Sequence, residues 1–85
     1  MQSDYLDRMV KSLPLLRAAT GLTQAQLGKK IGMSRQTIVA IENKKRPLPW
    51  CLFLAMVCVF QQYEESMLLL VNFELFDAKF IKEII

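Results

Sequence analysis

No histidine occurs among these 85 residues, and cysteine is limited to two positions, glycine and proline to three each. Without an imidazole the chain lacks the side chain most used as a general base and metal ligand. Cys51 and Cys58 stand seven apart with no CxxC pattern, so no zinc site is indicated. On one helix they would share a face at about 10 Å, too far for a mutual disulfide. Their apolar surroundings hold no activating charge, and both thiols read as small buried hydrophobes in a reducing cytoplasm. A phosphate-cradling glycine loop and a nucleophile–base pair are missing as well. The chain therefore reads as a non-enzyme, with no metal and no cofactor implied.

Acid is scarce in one place. Arg8 to Arg46 holds nine basic residues against the single acid Glu42, a local charge of +8, whereas the whole chain carries only +3. Such asymmetry points to a polyanionic partner for the basic part. Apolar residues are skewed the other way, 26 of them falling in the 38 positions from Leu48 to Ile85. That surplus exceeds what a small domain hides by itself, so this half is expected to pack against another chain. The apolar stretch Trp50 to Phe60 is too short to span a bilayer, which takes about 20 residues, and membrane insertion is the weaker reading. Trp50, Phe53 and Met56 could line a pocket, but no polar groups converge there and core packing is the simpler role.

So few helix breakers leave a nearly all-helical chain. Ser3 suits the cap of a first helix whose apolar stripe is Leu6, Met9, Val10, Leu13 and Leu16, with Pro14 predicting a kink or restart near Ser12. Thr20-Gly21 ends it. Thr23 caps Gln24 to Ile31, with Gln26 at the reciprocal position of a capping box. Ser34 caps a third helix to about Asn43, and the basic loop Lys44-Lys45-Arg46 follows. Pro49 opens a fourth helix to about Gln61. A fifth is expected from Glu64 to Phe73 or Leu75, and Asp77 caps a short sixth.

The interruption Gly32-Met33-Ser34 has the composition of a built corner. Leu27 and Ile31 face inward from one helix, Ile38 and Ile41 from the next. Gly28 offers a site for close approach, Gly32 a left-handed turn without a Cβ penalty, and Met33 a plug for the angle. Together these positions describe a helix-turn-helix over about 24–43. Arg35, Gln36, Val39, Ala40 and Asn43 are left on the outward side of its second helix. Arg can donate two hydrogen bonds to guanine, Gln can pair with adenine, and Val or Ala can touch a thymine methyl. Gln24 opens the preceding helix, whose free N–H groups suit a phosphate. Thr37, Asn43, Lys44, Lys45 and Arg46 complete the expected backbone contacts.

Residues 22–47, LTQAQLGKKIGMSRQTIVAIENKKRP, resemble the helix-turn-helix of the Cro and phage-repressor (XRE) family of transcription regulators. The likeness extends weakly over about residues 5–75. It implies an all-α, five- to six-helix lambda-repressor-like DNA-binding domain over 1–75, with 76–85 as a C-terminal helix and dimer contact. It further implies double-stranded operator DNA as ligand, a homodimer on a palindromic site, and base contacts from Ser34, Arg35, Gln36 and Ala40. Gln24 would touch phosphate and brace the first of these. An Arg late in the first helix pairs with the Glu of I-E-N in the repressor branch, which assigns Arg17 and Glu42 here as a structural ion pair.

Two positions depart from that pattern. The family usually carries Gly where this chain has Lys44, so Asn43 or Lys44 must take any left-handed cap, at about 1 kcal/mol for Lys. Residue 28 is commonly Ala. Leu68, Leu69, Val71, Phe76, Phe80, Ile81 and Ile84 are the dimer candidates. The last residues, Glu83-Ile84-Ile85, imply an end that docks or a sequence that continues. The expected function is a cytoplasmic DNA-binding regulator acting as a repressor. The alternative is an antitoxin-type module, a protein partner masked by its apolar half while the basic half binds its own promoter.

Overall fold

Among the described residues three backbone positions turn left-handed, and each closes a helix: Gly21 at φ 76°, Gly32 at φ 77° and Lys44 at φ 61°. The computed structural model describes residues 2–66. Helix α1 runs Gln2–Thr20, α2 Gln24–Ile31, α3 Arg35–Glu42 and α4 Trp50–Phe60. Helical backbone resumes at 64–66, where the expected fifth helix begins. The expected remainder of that helix, the short sixth and the seven dimer candidates lie outside the described residues. The chain is all-α, and no strand occurs among the described residues.

Two sequence expectations about α1 need correction. It begins at Gln2, which places Ser3 inside the helix rather than at its cap, and Pro14 interrupts nothing. Pro14 itself is exposed, so its ring and missing N–H meet solvent rather than the core. Two residues earlier, buried Ser12 donates its hydroxyl to the Arg8 carbonyl at 2.6 Å, so its own polar atom is satisfied. Pro49 likewise stands just outside α4, as an N-cap with extended backbone (ψ 150°) and no side-chain cap bond.

The core is one cluster fed by all four helices. Met9, Leu13 and Leu16 of α1, Leu27 of α2, Ile38 and Ile41 of α3, and Phe53, Met56 and Phe60 of α4 are fully buried. α1 packs on α3 and α4, and α2 packs on the same two. Trp50 stacks on Phe53 at 4.8 Å between ring centroids, and Tyr5 approaches Phe53 from α1 at 6.2 Å. Burying such aromatic and aliphatic side chains stabilises by about 1.5–3 kcal/mol each. The two thiols are not part of this cluster. Cys51 and Cys58 are both exposed, because α4 turns Phe53, Met56, Val57 and Phe60 inward and residues seven apart share the opposite side. No helix among the described residues is long and apolar enough to cross a membrane.

Candidate nucleic-acid interface

Each end of the α2–α3 unit is closed by local hydrogen bonds that the sequence supplies. At the start of α2 the Gln26 N–H donates to Thr23 Oγ1 at 3.1 Å, while the Thr23 N–H donates to Gln26 Oε1 at 2.9 Å. This reciprocal pair satisfies two donors that a helix start would leave free. At the end of α2 the N–H groups of Gly32 and Met33 both reach the Gly28 carbonyl, the latter at 2.7 Å. Ser34 then accepts from the Thr37 N–H at 3.2 Å, and its hydroxyl lies 3.0 Å from that of Thr37.

The corner closes backbone against backbone. A Cβ placed on Gly28 would stand 2.5 Å from the Met33 carbonyl oxygen and 3.4 Å from Ile38 Cγ1. Nothing larger than hydrogen fits there. That contact also explains where Met33 goes. Expected to plug the angle, Met33 is instead 36% exposed, and it is its carbonyl that lies against Gly28 of α2.

At the far end of α3 the Lys44 N–H donates to the Ile41 carbonyl at 3.1 Å and the Lys45 N–H to that of Ala40 at 2.9 Å. This is a Schellman closure with Lys44 in the left-handed position that glycine ordinarily fills. Of the two residues open to that role, Lys44 takes it and Asn43 stays at φ −85°.

Glu42 does not face outward. Its carboxylate accepts from Arg17 Nε at 2.8 Å and from Arg17 Nη2 at 2.9 Å, a two-point pairing between α1 and α3. Arg17 also reaches the Leu22 carbonyl at 3.4 Å. The two side chains are 19% and 6% exposed, so both charges are largely withdrawn from water. The one acid of the basic block is thereby neutralised inside the fold.

What remains on the surface is polar and positive. Ser34, Arg35, Gln36, Asn43, Lys44, Lys45 and Arg46 are all exposed, and Gln24, Thr37 and Ala40 are half-buried. Gln24 and Arg35 line one shallow cleft together with Arg17 and Gly21, although no hydrogen bond joins Gln24 to Arg35 among the described residues. Arg46 Nη1 stands 3.5 Å from Thr37 Oγ1, at the limit of a hydrogen bond. Lys29 and Lys30, to which sequence reasoning gave no role, add exposed charge on α2. Their signal was present in the local charge but carried no position.

The family model described as Helix-turn-helix matches residues 15–49. An uncharacterized HTH-type transcriptional regulator of Methanocaldococcus jannaschii is 54% identical over 37 residues, covering 44% of this chain and 56% of that protein. The match thus spans little more than half of that relative's length. No solved structure matches the chain significantly. With the corner, its two caps and the match falling on the same stretch, residues 15–49 form a helix-turn-helix, the segment in which this chain is similar to the family model and to that regulator.

Proposed function

We propose that this chain is a sequence-specific regulator of transcription that binds double-stranded DNA with α3 in the major groove. The observation that carries the reading is the side-chain set left exposed at the start of α3. Arg35 and Gln36 emerge from its first turn, on a helix held at both ends by the closures described above. A recognition helix reads bases with its N-terminal residues, and Arg and Gln have the donor geometry for guanine and adenine. Exposed Ser34 and half-buried Ala40 complete the proposed base contacts. Gln24, Thr37, Asn43, Lys44, Lys45 and Arg46 surround them as phosphate contacts, which position the protein without reading sequence. Withdrawal of the Glu42 charge into its pair with Arg17 favours this use, since an outward carboxylate would oppose the phosphates.

A homodimer would set two such helices about one DNA turn apart on a palindromic operator, the arrangement by which repressors of this kind block transcription. Selection of bound fragments from random duplex DNA tests the proposal. Enrichment of a site with two-fold symmetry is the expected result. Recovery of no common sequence would remove specific recognition. Symmetry absent from an enriched site would remove the dimer, and aggregation relieved only by a co-expressed chain would favour the antitoxin reading.

A further inference from the structure

A groove of about 560 Å³ runs between the first half of α1 and the segment that follows α3. Its floor is Leu6, Val10, Ile41 and Leu48. Ile41 and Leu48 belong to the buried core, and Leu6 and Val10 are half-buried against it. Its rim carries four cations, Lys11, Lys44, Lys45 and Arg46, against the one carboxylate of Asp7. Lys11, Lys44 and Lys45 are exposed and engage no ion pair among the described residues. One acid leaves three positive charges uncompensated around an apolar trough.

Pockets of this volume, mostly apolar with a few convergent charged groups, hold small ligands that match both features. An inorganic anion would satisfy the rim and leave the floor in water. A neutral or cationic hydrocarbon would use the floor and gain nothing from the rim, or be repelled by it. Only an amphipathic anion uses both. The groove also shares the cations of residues 44–46 with the proposed DNA interface.

We propose that this groove binds a small amphipathic carboxylate, with its apolar body on Leu6, Val10 and the edge of Leu48 and its carboxylate among Lys11, Lys44, Lys45 and Arg46. Such a ligand competes with DNA for the cations of residues 44–46, a consequence that rests on the DNA-binding reading. Ligand binding lowers DNA affinity, and by linkage DNA lowers ligand affinity by the same factor.

The test is a nitrogen-15 NMR titration of the full chain with 4-phenylbutyrate, alongside 4-phenylbutanol and 4-phenylbutylamine as neutral and cationic matches. The carboxylate should shift the amides of Lys11, Ile41, Lys45 and Leu48 and bind at least about tenfold more tightly than either match. Lys11→Glu, on an exposed site, should weaken it about fivefold or more with an otherwise unchanged spectrum, and Lys11→Arg should restore it. Shifts confined to other surfaces, equal binding of the amine, or no response at millimolar carboxylate would overturn the site. On duplex DNA, saturating 4-phenylbutyrate should raise the apparent Kd at least about threefold for the wild type and not for Lys11→Glu. An unchanged Kd with the groove occupied defeats the competition alone. A chain that binds no DNA defeats the DNA reading and the competition together, while the NMR result on the groove stands.

Discussion

Truncating Arg35 to Ala removes an exposed guanidinium from the first turn of α3 without touching a cap or a core contact. The expected effect is a loss of about 1–3 kcal/mol on the selected site, with relaxed preference at one base pair and little change in Tm. An equal loss on every sequence would make Arg35 a phosphate contact instead. Lys44 presents the opposite balance. Its left-handed backbone at φ 61° is unfavourable for any residue with a Cβ. Lys44→Gly should therefore stabilise the fold by about 0.5–1 kcal/mol, a few degrees in Tm. It should at the same time weaken DNA binding, because the ammonium proposed as a phosphate contact is gone. A variant that is both firmer and a poorer binder is the expected outcome; unchanged affinity would take Lys44 out of the interface.

The α2–α3 corner sets two effects against each other at Gly28. Ala would improve helix propensity by about 1 kcal/mol, but its Cβ would meet a backbone oxygen at 2.5 Å. A carbonyl cannot swing aside as a side-chain tip does, so α3 itself must move. Gly28→Ala should lower stability by about 1–2 kcal/mol net, by denaturant titration; a rise would mean that the corner yields. The pair linking α1 to α3 offers a second test. Arg17→Ala leaves the Glu42 carboxylate, only 6% exposed, without its partner, and should cost about 3–5 kcal/mol. Since that can unfold a domain of this size, Arg17→Met with Glu42→Leu is the control, and should recover most of the loss. Failure of the double variant to recover would trace the defect to lost packing rather than to a stranded charge.

How much of this was legible beforehand follows from how local each determinant is. The Thr23 and Ser34 caps and the left-handed Gly32 depend on residues within one turn of themselves, and the sequence pattern located all three. The side of α4 that faces out is another matter. Trp50 to Phe60 is apolar all round, so periodicity holds no information about orientation, and the exposure of Cys51 and Cys58 could not be read. Met33 went astray for a related reason: side-chain size suggested a plug, whereas the space is taken by backbone. The groove beside Lys11 was invisible because its walls come from segments 30 or more positions apart.

Over the molecule as a whole, the +8 carried by residues 8–46 is the feature with the longest reach. Binding through phosphate neutralisation makes affinity fall with salt, by about 0.9 in the logarithmic slope for each contact. Lys45→Ala should weaken binding to all duplexes alike and reduce that slope by about one, measured between low and moderate salt. An unaltered slope would place the basic loop outside the interface. The proposed homodimer would double the number of contacts and steepen the slope accordingly.

The sealed contact at Gly28 has an evolutionary consequence. Because the angle between α2 and α3 is locked by main-chain atoms, and Arg17 and Glu42 tie α3 to α1, the outward residues 35, 36 and 40 can be exchanged without renegotiating the scaffold that holds them. On the proposed reading of α3, new targets would then be acquired one letter at a time, by drift across a few surface codons, while the hinge beneath them stays closed to innovation.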